Sequence, residues 1–172
     1  MSLPILLLAG CGLWVVNETL EIFTAGLANI VGTSGGLATA LLCIGIWIFW
    51  TDPAADRLSR AGTLLASGGL ALTTYRTVSL ALQGERSDAQ IVASPLFLVA
   101  AACIAVGVLL LGARILRRGA FPRWIGAVLT GVTCLTLVLA LQGAGPLVQS
   151  GANIVLAITL AETAVLAMGR RR

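Results

Sequence analysis

Between Leu13 and Gly26 the chain reads LWVVNETLEIFTAG, an apolar stretch that carries Asn17, Glu18 and Glu21. Two carboxylates inside a hydrophobic helix are costly in lipid, so they need partners or a purpose. Residues three and four apart share a helix face. Asn17, Glu18, Glu21 and Thr24 therefore fall on one side, with Trp14 four residues before Glu18. A second polar side is formed by Tyr75, Arg76, Ser79 and Gln83. At 1.5 Å per residue, Glu18 and Glu21 lie roughly 10–15 Å, and Arg76 about 10 Å, below the same membrane face. The depths agree and the signs are opposite. Arg76 is expected to pair with Glu18 or Glu21, because its fork donates two parallel hydrogen bonds to a carboxylate. One arginine neutralises one acid. The second acid must be protonated, share the arginine, or bond to Asn17 or Tyr75. A neutral acid beside an ion pair is a proton donor, which makes Glu18 and Glu21 candidate acid–base residues.

Glu162 is a third candidate acid, flanked by Thr159 and Thr163 and about 20 Å from the outer end of its helix. It is expected in the inner half, apart from the first cluster, snorkelling toward Arg170 or Arg114. Asn153 lies nearer the depth of Glu18. Trp14, Asn17, Tyr75, Arg76 and Asn153 form the candidate ligand-binding set. Thr130, Thr133 and Thr136 are expected to bond back to their own helix. With no His in the chain, the usual zinc and haem ligand sets are missing. There is no phosphate loop ending in Lys and no Ser–His–Asp set. No metal or cofactor is expected.

The elements that must hold these residues are helices in lipid. The chain has 172 residues, 58% hydrophobic and 10% charged, with a mean hydropathy of +1.00. Soluble domains carry about 25% charged residues, so a soluble fold of this size would lack polar cover. Six apolar stretches are predicted spans: about 3–27, 36–50, 61–83, 91–116, 122–142 and 147–168. Most are near the ~20 residues that cross a bilayer. Residues 1–172 then form one integral membrane domain, an all-α bundle of six transmembrane helices.

All eleven basic residues are Arg, and the net charge is +4. The arginines gather at helix ends, the pattern of topology signals and headgroup contacts rather than nucleic-acid binding. Arg57 and Arg60, then Arg114, Arg117, Arg118 and Arg123, then Arg170, Arg171 and Arg172 alternate with arginine-poor connections. This predicts both termini in the cytoplasm of a bacterium, in its inner membrane. Trp47 and Trp50 fit an interfacial position. Asp52-Pro53 should end the second span, and Pro95 and Pro122 should sit in first turns.

Gly62, Ala66 and Gly69, with Ala100, Ala101, Ala102 and Ala105, offer small faces for close helix packing. That suits a compact bundle, a homo-oligomer or a subunit of a larger membrane complex. LALQG recurs at 80–84 and 139–143, and ANIV at 28–31 and 152–155, in a chain whose Ala and Leu content makes chance repeats common. The four cysteines lie in apolar runs with no CxxC, which suits inert thiols. Leu8-Ala9-Gly10-Cys11 matches a lipoprotein box, but no charge precedes the apolar run and apolar residues follow it, so a first span is expected there instead.

Leu109 to Leu139, LLLGARILRRGAFPRWIGAVLTGVTCLTLVL, resembles the carboxyl half of the bacterial membrane-protein family called domain of unknown function 4386. A basic loop with a Phe-Leu-Pro-Arg-like motif leads there into a Gly-containing helix. Ala161-Glu162-Thr163-Ala164 is similar to its final Glu-bearing helix, and Tyr75-Arg76 to a Phe-Arg. The amino-terminal half matches poorly. The family has no assigned activity, so the resemblance implies fold and membrane location only. Trp14, Glu18 and Glu21 on one helix with Glu162 on a late one also resemble the layout of small membrane-bound terpene cyclases, without a diagnostic motif.

The sequence thus points to a small scaffold or accessory subunit whose outer half holds a polar cavity between the first, third and sixth spans, suited to a lipophilic molecule. An acid–base enzyme on an isoprenoid-like substrate and a small proton-coupled transporter are the alternatives.

Overall fold

The computed structural model describes residues 2–23, 28–53, 55–83, 95–118, 121–142 and 146–169. The helices are α1 (Leu3–Phe23), α2 (Ala28–Gly45), a single turn α3 (Ile48–Thr51), α4 (Arg57–Gln83), α5 (Pro95–Arg118), α6 (Arg123–Leu141) and α7 (Pro146–Gly169). No strand occurs among the described residues. Among the described residues, four helical stretches are long and apolar enough to cross a membrane: Leu3–Leu20, Pro95–Arg118, Arg123–Leu141 and Ser150–Gly169. Helix α4 has the length, at 27 residues, but carries Arg57, Arg60 and Arg76. In the second predicted span the apolar helical stretch is shorter, Gly35–Thr51.

The six long helices form a ring. Each packs on its neighbours in the order α1, α2, α4, α5, α6, α7, and α7 returns to α1. Neighbours run antiparallel. Leu7 meets Gly45 and Gly10 meets Leu42 across α1 and α2. Gly62 meets Gly107 and Gly69 meets Ala100 across α4 and α5. Both described ends of the chain therefore lie on one face of the ring, the inner face by label, with residues 46–53, 55–56 and 121–122.

Small residues set the spacing. A Cβ on Gly45 would lie 2.5 Å from the Leu7 backbone, and one on Gly107 would lie 2.5 Å from the Ala66 nitrogen. Helix backbones pass so closely there that no side chain fits between them, which is the packing that lipid favours in place of apolar burial. The expected role of Gly62, Ala66, Gly69 and Ala100 holds. Ala101 and Ala102 instead face outward and Ala105 is half-buried, because only one stripe of α5 can touch α4.

The ring interior is apolar in its inner half. Leu7, Leu42, Ile46, Phe49, Leu111 and Ile115 are all at most 2% exposed. Outward, large apolar side chains stand exposed around the ring: Val16, Leu37, Leu64, Leu98, Leu135 and Ile158 among them. A water-facing surface would not carry so much contiguous apolar area.

Element ends follow local chemistry. Helix α3 stops at Asp52, whose extended ψ of 127° suits a residue before proline. Asp56 opens α4 by accepting the Ser59 N–H at 3.0 Å, a helix cap. That bond, ahead of the nearby Arg118 and Arg114 charges, holds the Asp56 carboxyl below its ordinary pKa. Pro95 opens α5 as expected. Pro122 stands one residue earlier than expected, as the N-cap of α6 with ψ 134°.

Replacing Gly107 by Val should destabilise the bundle by about 1–3 kcal/mol, the usual cost of forcing extra atoms into a tight contact. Gly68→Ala, where an added Cβ meets nothing within 4 Å, should be close to neutral. Denaturant unfolding in detergent checks both.

Candidate functional site

In the outer half of the ring, polar side chains tie neighbouring helices together. Glu18 is buried, 6% exposed. Its Oε1 accepts the Trp14 indole N–H at 2.8 Å and the Asn153 amide N–H at 2.8 Å. The first bond spans one turn of α1 and fixes the glutamate rotamer. The second crosses to α7. Glu18 lies about 8 Å and Asn153 about 10 Å from the outer ends of their helices at the α-helical rise, so the two side chains meet at one level. On the other side of α1, Asn17 is also 6% exposed and lies against Gly35 of α2, its amide about 3.5 Å from where a Cβ would stand. Thr39 of α2 and Thr74 of α4 share a hydrogen bond at 2.8 Å.

The expected pair of Glu18 with Arg76 does not form. The described ion pairs are Arg114 with Asp52 and Arg118 with Asp56. Helix α2 stands between α1 and α4 in the ring, and the Glu18 carboxylate is turned to α7. Arg76 follows Gly62 and Gly69 at seven-residue steps on the stripe that meets α5. It is half-buried, and its Nε has no hydrogen-bond partner among the described residues. Tyr75 is 67% exposed on the outside of α4, away from Glu18. The hydrogen bonds of Glu18 therefore join the first and sixth predicted spans and do not reach the third. The side chain of Glu21 lies outside the described residues, so its pairing with Arg76 does too.

Glu162 is exposed on α7. It does not reach Arg114, which is held by Asp52; Arg170 lies outside the described residues. The apolar stem of Glu162 borders a groove of about 330 Å³ between α1 and α7, lined by Leu8, Cys11, Gly12, Val15 and, from α7, Ala157, Ile158, Ala161 and Val165. Apart from Glu162 this lining is apolar. A second, enclosed space of about 30 Å³ lies within the ring between Trp14, Leu42, Leu70, Val108 and Leu156. It exceeds the minimum for one water, about 10–15 Å³, and falls well short of the ~300 Å³ at which ligand pockets begin.

No family model, no curated protein and no solved structure matches the chain. The site is therefore read from its own geometry.

The structure adds a cluster at the inner face of the ring. Arg114 is 0% exposed and pairs with Asp52 at 3.5 Å. One turn later, the exposed Arg118 pairs with Asp56 at 3.6 Å. Arg60 lies over the Trp50 ring at 5.4 Å, and Trp50 packs on Trp47. Phe49 meets Phe121 edge to face at 5.7 Å. The sequence shows the arginines as topology signals, yet Arg114 and Arg118 grip the connection before α4. The signal for this was Asp52 and Asp56 at the same four-residue step as Arg114 and Arg118.

Among the remaining candidates, Thr133 and Thr136 bond back to Leu129 and Val132 as expected. Thr130 does not. Its buried Oγ1 lacks a hydrogen-bond partner among the described residues, because it packs where α6 crosses Gly112. The four thiols are free. Cys11 is buried in α1, while Cys134 is exposed, which departs from a fully buried set.

A double-mutant cycle of Glu18→Leu with Asn153→Leu should show coupling of about 0.5–2 kcal/mol, whereas Glu18→Leu with Arg76→Leu should show none. Stability in mixed micelles is the readout. Asp52→Leu should destabilise the protein by removing a counter-charge of the buried Arg114, and adding Arg114→Met should recover most of the loss.

Proposed function

We propose that this chain is a small multi-pass protein of a bacterial inner membrane, with six spans and both termini cytoplasmic, that serves as a scaffold or accessory subunit and holds a lipophilic molecule in the α1–α7 groove. The six-span topology is supported by the alternating direction of the ring helices. It is also supported by the gathering of Arg57, Arg60, Arg117, Arg118 and Arg123 toward one face, as the positive-inside rule requires. On this proposal the chain shares fold and location with the family called domain of unknown function 4386, and no activity follows from that.

The observation that carries the binding reading is where the space lies. Among the described residues, the space on the ring axis between Trp14, Leu42, Leu70, Val108 and Leu156 holds about 30 Å³, which favours neither a permeation path nor an isoprenoid-sized reaction chamber there. The larger groove opens outward between apolar residues, where a bound molecule would enter from the lipid. Glu18, held by two N–H donors, then acts as a fastener of α1 to α7. A catalytic acid would need a substrate atom within hydrogen-bond reach.

Purification in native-lipid discs followed by mass spectrometry of the extracted small molecules tests this. One lipophilic species should be enriched several-fold over the surrounding lipid with the wild type and lost with Gly12→Leu. An added Cβ at Gly12 meets nothing within 4 Å, so that variant fills the groove without a backbone clash. Identical extracts from both proteins would remove the groove reading. A chemically changed species whose precursor accumulates with Glu18→Gln would instead make the protein an enzyme.

A further inference from the structure

We infer that the inner rim of the ring, at the α4–α5 seam, holds the headgroup of an anionic phospholipid, with Arg57 and Arg117 as its phosphate contacts. The inference rests on the membrane placement proposed above and is independent of the α1–α7 groove. It starts from an imbalance of charge. Segments 52–60 and 114–123 carry six arginines against two acids, Asp52 and Asp56. Both acids are taken, by Arg114 at 3.5 Å and Arg118 at 3.6 Å. Arg57 and Arg117 are exposed and form no ion pair among the described residues. The rest of the sequence supplies no acidic side chain to them. Positions 54, 119 and 120 are Ala, Gly and Ala, and 170–172 are all Arg. Glu85 and Asp88 follow the outer end of α4, a helix of 27 residues and so about 40 Å long. The five residues from Gln83 to Asp88 reach at most about 18 Å. Glu18 and Glu21 lie in the outer half of α1, and Glu162 lies on α7, which α6 separates from α5 in the ring.

Close contacts set the level of the two arginines. Ala66 lies against Gly107, and Gly62 against Leu111, so α4 and α5 run past each other in opposite directions. Arg57 stands nine residues before Ala66, and Leu116 and Arg117 stand nine and ten after Gly107. The arginines therefore end the same seam at one level, on adjoining helices. Arg57 is also the first residue of α4, where the helix dipole disfavours a cation, so helix stability does not account for it. The surroundings fit the headgroup level. Arg60 lies over Trp50 at 5.4 Å, and Trp124 at the start of α6 is 50% exposed; such rings favour the interface. Leu64 and Leu116 stand exposed beside the arginines and offer an apolar surface to acyl chains, which a soluble polyanion would not use. The positive-inside bias counts charges and is met by any placement near the helix ends. Two unpaired guanidinium forks at one level are what a phosphate needs, and basic sites between spans on the cytoplasmic side take anionic headgroups.

The test uses the full chain in mixed micelles with equal amounts of phosphatidylglycerol and phosphatidylcholine of matched acyl chains, and native mass spectrometry reads the lipid retained. Phosphatidylglycerol should be retained in preference. Arg57→Gln with Arg117→Gln should cut that preference at least about fivefold, and Lys at both positions should keep part of it. Arg171→Gln with Arg172→Gln, which removes the same charge elsewhere, should leave it unchanged, as should Gly12→Leu, which separates this site from the groove. Equal retention of the two lipids, a preference that the Arg57 and Arg117 changes leave intact, or one that the 171–172 changes lower as much, would overturn the inference; the arginines would then be topology signals only. Displacement of the lipid by inorganic phosphate would mark a free-anion site and overturn it too. Should the double variant fail to fold, Arg117→Gln alone is read in the same way. The protein is first extracted from membranes by detergent, so a lost preference counts against the headgroup site and leaves the membrane placement standing.

Discussion

The arrangement of this protein depends on a non-local contact, the meeting of α1 with α7. The other five packings in the ring join helices that follow one another in the chain, with the single turn α3 passed over between α2 and α4, and each is brought together by a short connection. The first and last long helices have no such tether. At the outer level they are tied by the hydrogen bond from Asn153 to Glu18 across 135 positions. Such a bond is favoured in hydrocarbon because water offers no alternative partner there. The Trp14 N–H on the same oxygen holds the glutamate in the rotamer that reaches α7. Toward the inner face the small residues Gly12, Ala157 and Ala161 lie in the groove between the same two helices.

The two ends of the ring are stabilised by different chemistry. The outer half uses side-chain hydrogen bonds between helices, Glu18 with Asn153 and Thr39 with Thr74. The inner face uses ion pairs and aromatic rings, where Arg114 and Arg118 hold Asp52 and Asp56 and Phe49 packs on Phe121. Between them lies an apolar layer of Leu7, Leu42, Ile46 and Leu111. This layering explains why the acids have different roles. Glu18 and Asp52 are consumed by internal partners and act in the fold. Glu162 lies on the outward side of the closing contact, where no described internal partner meets it.

Close backbone approach limits how far the ring can change. Gly45 against Leu7, and Gly62 and Gly69 against Gly107 and Ala100, place helices in contact along much of their length. Interfaces of this kind move as rigid pieces, because a small shift brings a Cβ or carbonyl into overlap. The α1–α7 seam lacks so dense a set of glycine contacts: an added Cβ at Gly12 or Gly151 meets nothing within 4 Å. It is the seam at which a ligand can be admitted without repacking the others.

The sequence by itself determined the solvent class, the helical character and the level of each polar residue along its helix. Composition excludes a water-facing coat, apolar run length marks the helices, and the fixed rise per residue sets depth. Glu18, Asn153 and Arg76 could thus be placed at similar levels from spacing alone. Depth leaves the lateral partner undecided, since every helix in a bundle passes through the same level. The choice of Asn153 over Arg76 was made by the order of helices around the ring, which places α2 between α1 and α4 and brings α7 to α1. That order follows from which small-residue stripes fit together, a property of two surfaces at once. For the same reason the burial of Arg114, the outward turn of Tyr75 and the position of Glu162 beside a groove appear only in the tertiary structure.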